Sequence, residues 1–162
     1  MGMVLEFYRL SDEKIIELSN QPEKACSKYL EVNFASVYGK DHKENDTVFS
    51  LDKTWSVIRF LFVQADNTEN KIVSELYGEP LTNKSYGYSF LLSKKVKVIN
   101  HLLQEIQTND LFKFYDEVKM ENEMVYYGSS FHRNYIEKHI EILKLAFEKA
   151  ANSNSGLIIN IS

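Results

Sequence analysis

Trp55 and Arg59 stand four residues apart, the spacing that puts two side chains on one face of a helix, and Asp52 lies seven before the arginine. A guanidinium held over an indole face gains roughly 0.5–1 kcal/mol at an exposed site. Such a trio is suited to a small anionic ligand. The arginine binds a carboxylate or phosphate, the tryptophan forms a wall and the aspartate sets the geometry. The same spacing also suits a buried tryptophan with an arginine snorkelling at the edge of the core.

Two tyrosine clusters, Tyr86 with Tyr88 and Tyr126 with Tyr127, fall in segments expected to be extended. Tyrosine brings apolar area and a hydroxyl together, so these rings suit either the lining of a cleft or ordinary packing. His132 and His139 are seven apart, about 10.5 Å along a helix, too far to share one metal ion. No metal or cofactor is expected. Cys26, flanked by Lys24 and Lys28, is the only cysteine and suits a small apolar filler. Glu117, Glu121 and Glu123 are interleaved with Lys119 and Asn122, the pattern of a solvated helix end. The sequence contains no nucleophile elbow, no H-E-x-x-H zinc motif and no glycine-rich phosphate loop.

Composition narrows the classes further. The chain has 162 residues, 44% hydrophobic and 26% charged, with a net charge of -4. A chain of this size buries about 70% of its unfolded surface on folding, enough for one core without staples. Glu6 and Arg9 interrupt the apolar run that a signal peptide requires, and no stretch reaches the 18 or so apolar residues of a membrane span. With one cysteine there is no internal disulfide, so a cytoplasmic protein is expected, neither secreted nor membrane-embedded. The three arginines are dispersed and the lysines alternate with acids, which disfavours nucleic acid as a partner.

Elements must position these residues. Met3 to Leu10 suits a strand, and Ser11 an N-cap with Asp12 and Glu13 in the first turn of a short helix. Pro22 opens a second helix. Gly39 to Thr47 is a polar surface loop. Leu51, Trp55, Ile58 and Phe62, spaced four, three and four, predict one helical face capped by Ser50. A further helix is expected over 69–77, ending at Gly78. Tyr86 to Leu92 suits a strand, and Ser93 caps a helix carrying Val96, Ile99, Leu103 and Ile106. A short helix over 110–118 and an extended piece over Met124 to Tyr127 follow. The longest helix runs from 130–134 to about Asn152, and Leu157 to Ile161 forms a last strand, paired beside the first.

Several landmarks in this order resemble the YfbM-like family of small bacterial proteins: the Met1-Gly2-Met3 start, Leu51-Asp52-Lys53-Thr54-Trp55 with its apolar continuation, and Gly87-Tyr88 leading through Leu92-Ser93 into the Val96 helix. Glu123-Met124-Val125-Tyr126 and the long last helix before a hydrophobic strand extend the likeness over nearly the whole chain. The pattern departs at Arg59, Ser89 and Gly128. The resemblance implies an α+β domain and a bacterial cytoplasmic origin, and it carries over no catalytic residue or cofactor.

The expected fold is therefore one α+β domain over residues 1–162. Its small mixed sheet takes an N-terminal, a central tyrosine-rich and a C-terminal strand, packed by about six helices. The expected role is a non-catalytic binding or interaction protein, monomeric or homodimeric, whose partner is a protein or a small anionic ligand. The alternative is an enzyme acting on a small anionic metabolite near Asp52, Trp55 and Arg59, with Tyr88, Tyr126 and His132 as orienting or acid/base groups. A deep polar pocket would favour the enzyme, and an exposed apolar patch the interaction protein.

Overall fold

Leu5 and Phe7 are fully buried on one side of the first strand and Tyr8 on the other, so β1 (Leu5–Leu10) is covered on both faces. The computed structural model describes residues 3–37, 45–65, 76–80, 87–128 and 130–162. Within them β1 is followed by α1 (Asp12–Ser19), α2 (Glu23–Phe34), β2 (Val48–Asp52), α3 (Trp55–Ala65), β3 (Glu79–Pro80) and β4 (Tyr88–Leu91). Then come α4 (Ser93–Glu105), α5 (Thr108–Leu111), α6 (Glu117–Asn122), α7 (Arg133–Asn152) and β5 (Gly156–Ile161). The result is an α+β fold.

The strands form one sheet in the order β2-β1-β5-β4-β3. Every pair is antiparallel, so the sheet is not mixed as expected. The C-terminal strand lies beside the first with Phe7 opposite Ile159, as its apolar sequence requires. α7 packs on α4 and on the β1–β2 side of the sheet. Its stripe of Ile136, Ile140, Leu143, Phe147 and Ala150 is wholly buried. With Leu5, Phe7, Phe49, Leu51, Leu157 and Ile159 it makes the larger core, roofed by α3, α4 and α7. Burial of each such aliphatic or aromatic side chain is worth about 1.5–3 kcal/mol. A smaller core of Tyr8, Ile15, Leu18, Cys26, Leu30, Val48 and Ile158 lies on the other face, under α1 and α2.

The stretch expected to open a helix at Leu51 instead begins as a strand. Val48 to Asp52 pairs with β1, Asp52 turns the chain with φ 47°, and the helix starts at Trp55. Thr54 closes that turn by donating its N–H and its hydroxyl to the Leu51 carbonyl, at 3.1 and 2.6 Å. Leu51 and the α3 residues serve the same core, so their spacing imitates one helical face. The expected extended piece at Met124 to Tyr127 is a pair of tight turns, with Met124 at φ 53° and Tyr127 at φ 54°. The expected helix over 69–77 and the loop over 39–47 fall largely outside the described residues, as do Gly2 and Tyr86.

Ser11 caps α1 as expected, accepting from the Lys14 N–H. Ser93 does not cap the next helix but stands inside it, and the cap comes from Asp12, whose carboxylate accepts the Ser93 N–H at 2.7 Å and the Ser93 hydroxyl at 2.6 Å. The negative charge also sits at the positive end of α4. Asp12→Ala removes two charge-assisted hydrogen bonds and leaves a buried hydroxyl unpaired, so it should lower stability by about 2–3 kcal/mol. Urea denaturation checks this as a lower midpoint with an unchanged slope.

Candidate functional site

The β2–α3 turn places Asp52, Lys53 and Trp55 at one end of the sheet, and the chain entering α7 meets them there. Trp55 stacks on Tyr126 with centroids 6.1 Å apart and planes at 29°. Tyr126 meets Tyr127 edge-on at 4.6 Å, Tyr127 meets Phe131 at 5.9 Å and Phe131 stacks on Tyr135 at 5.5 Å. Tyr135 in turn contacts the buried His139 at 4.3 Å. Six rings thus form a continuous series. Polar bonds fix both its ends. The Trp55 indole N–H donates to the Met3 carbonyl at 3.1 Å, and the Tyr126 hydroxyl accepts the Met3 N–H at 2.9 Å. At the other end the Tyr135 hydroxyl donates to Asp52 Oδ2 at 2.5 Å, and His139 Nδ1 donates to the Tyr135 carbonyl at 2.7 Å.

This end of the molecule is also where the backbone leaves ordinary conformations. Among the described residues, three of the four non-glycine residues with positive φ, Asp52, Met124 and Tyr127, stand in or beside the ring series. A left-handed tyrosine costs energy that the surrounding structure must offset, a pattern associated with functional surfaces. Exposure points the same way. Of the nine large hydrophobic residues that stand exposed among the described residues, Met3, Met124, Tyr127 and Tyr135 belong here. Lys53 adds a cation, its Nζ 5.4 Å above the Tyr127 ring.

The six residues singled out in the sequence divide. Asp52, Trp55 and Tyr126 come together in this cluster. Arg59 does not join Trp55: it is exposed, and its guanidinium lies over Tyr77 at 5.9 Å. Asp52 belongs to the strand, so the helical spacing that would have aligned it with Arg59 is absent. Burial raises the pKa of Tyr77, whose hydroxyl donates to the Trp55 carbonyl at 3.1 Å. Tyr88 lies across the sheet, packed against the smaller core. His132 is the exposed N-cap residue of α7 and makes no side-chain capping bond. Phe131, Tyr135, Lys53 and Met3 were not expected. For Phe131 and Tyr135 the signal in the sequence is the spacing of Tyr127, Phe131, Tyr135 and His139 at intervals of four; Lys53 and Met3 have none.

The electrostatics favour holding over proton transfer. The Tyr135 phenol is pushed up to about 12 by desolvation first, then by its hydrogen bond to Asp52 and that residue's negative charge. A general base or acid works best with a pKa near the working pH, and this shift moves the group away from neutrality. Below pH 10 the protonated phenol contributes its full stabilisation. That contribution is lost as pH rises from about 10, where unfolded tyrosine ionises, through the folded value. Asp52→Asn should bring the Tyr135 pKa down without returning it to 10, because the desolvation persists. A carbon-13 NMR titration of the tyrosine ring carbons reads this directly, and an unchanged Tyr135 curve would contradict it.

Among the described residues no group of three or more His, Cys, Asp or Glu is placed to hold a metal ion. Cys26 is buried, and desolvation followed by the charge of Glu23 pushes its thiol up to about 11. No helix among the described residues is long and apolar enough to cross a membrane. Two polar recesses lie away from the rings, one lined by Gln64 and residues 113–119, the other between α5 and α7 around Glu137, Glu141 and Lys144.

Comparison with known proteins adds the family. No curated protein matches the chain. Among solved structures it is similar to the crystal structure of YfbM from Escherichia coli, a protein of unknown function. The TM-score is 0.63 at 14% sequence identity, over 98% of this chain and 99% of that one. At that identity the likeness is one of fold. The family model described as "Domain of unknown function (DUF1877)" matches residues 1–160, and the chain therefore belongs to the DUF1877 family.

Proposed function

We propose that the protein is a non-catalytic interaction protein of the bacterial cytoplasm, and that it recognises a partner protein through the ring series from Trp55 to Tyr135. The observation that carries this reading is the exposure of rings already fixed in place. Tyr127 and Tyr135 are 41% and 36% exposed, beside Met124 at 89%, while hydrogen bonds and stacking hold the series rigid. Aromatic residues and methionine are enriched in the cores of protein interfaces. Rings held in position before binding lose little freedom on association. The single buried, protonated thiol of Cys26 is compatible with a reducing compartment.

The test is site-specific photo-crosslinking in the cells that make the protein. A photoreactive phenylalanine analogue at Tyr127 should capture one defined protein, whereas the same analogue at Val32, an exposed position on α2, should not. Absence of an adduct at Tyr127, or the same adducts at both positions, would overturn the reading.

A further inference from the structure

Strand pairing sets Ser50, Glu6, Asn160 and Tyr88 side by side across β2, β1, β5 and β4. All four project from the face that carries α1 and α2, because side chains alternate between faces with a period of two. The smaller core occupies the next row, Val48, Tyr8, Ile158 and Phe90, so the polar row lies just past the apolar layer. With strands about 4.8 Å apart, the row is about 14 Å wide.

Asn160 is the anomaly in it. The residue is only 9% exposed, yet its side-chain amide has no hydrogen-bond partner among the described residues. Buried amides are almost always paired, and one that is not requires a reason. Beside it, half-buried Glu6 accepts the Tyr8 hydroxyl through Oε2 at 2.6 Å and has no cationic partner among the described residues. On the other side stands Gly87. A Cβ there would sit 3.7 Å from Asn160 Oδ1 and 3.1 Å from the Ile161 carbonyl oxygen, so the glycine lies close against the amide and brings no side chain of its own to it.

We propose that this row binds a primary ammonium group with a neighbouring carbonyl. The ammonium donates to the Glu6 carboxylate and to Asn160 Oδ1, and the carbonyl accepts from Asn160 Nδ2. Charge and hydrogen-bonding sense both match, since Glu6 and Asn160 together offer two acceptor groups, one of them anionic, and an amide donor. The ligand chemistry is that of an amino-acid amide or of a peptide's amino terminus. Trp55 and Phe131 of the ring series pack against the other core and none of the row's four residues belongs to the series, so this site stands or falls independently of it.

The test follows the Asn160 side-chain amide resonance in the full chain during titration with glycinamide, glycylglycinamide and N-acetylglycinamide. Glycinamide should move that resonance and bind at least about tenfold more tightly than its acetylated form, which lacks the cation. Tighter binding of glycylglycinamide would identify a peptide amino terminus as the natural ligand, and equal binding a free amide. Glu6→Gln should weaken glycinamide by about tenfold or more. Asn160→Leu should abolish binding and raise Tm, because an apolar residue of similar volume removes the unpaired amide. An unmoved Asn160 resonance, or acetylated ligand binding as well as the free amine, would overturn the proposal.

Discussion

Phe147→Ala should lower the free energy of unfolding by about 3–5 kcal/mol, the cost of emptying a fully packed aromatic site. Phe147 is wholly buried on α7 and meets Phe7 of β1 edge-on, with centroids 5.8 Å apart and planes at 70°. That contact joins the longest helix to a strand inside the sheet, between β2 and β5. The surrounding Leu5, Phe49, Ile140 and Leu143 are held by strand pairing or by the helix itself, so the site has little freedom to collapse. Chemical denaturation provides the measurement. A loss below about 1 kcal/mol would mean that α7 and the sheet are not closely packed there.

Tyr127→Ala should weaken binding of the crosslinked partner by at least about 30-fold, the free-energy loss of a central interface residue. The fold should tolerate it. Tyr127 is 41% exposed, and its ring contacts with Tyr126 and Phe131 are worth no more than about 0.5–1.5 kcal/mol each. Because the residue sits at φ 54°, alanine inherits the same backbone conformation and adds no new strain. Calorimetric titration of wild type and variant, with thermal melts alongside, separates the two effects. Unchanged affinity would remove Tyr127 from the interface.

What the sequence discloses follows the range of the interactions involved. Residues 133–152 read as a helix on their own because the apolar stripe from Ile136 to Ala150 repeats over about four turns and matches the buried face. Leu157 to Ile161 reads as a strand because so apolar a segment has to be paired. The Val48 to Asp52 strand is hidden, since its last apolar residue falls in step with the helix that follows. The Asp12 cap on Ser93 bridges 81 residues and leaves no local trace. The site was legible only in part, for the same reason. Trp55 and Tyr126 come together from distant parts of the chain through stacking that no local pattern encodes. Asp52 is drawn into the sheet, and Arg59 lies over Tyr77 instead of Trp55. The four-residue recurrence from Tyr127 to His139 was visible, but it begins before α7 and so did not declare itself as a helical face.

Trp55 is the only tryptophan in the chain, so its fluorescence reports on the aromatic surface without interference. Iodide quenching of that emission, followed as the crosslinked partner is added, is the most direct measurement of where the protein makes contact. The account predicts a blue shift together with loss of quenching at saturation, and a titration displaced to at least about 30-fold higher partner concentration for the Tyr127→Ala variant. Full complex formation with the indole still open to iodide would place the interface elsewhere and contradict it.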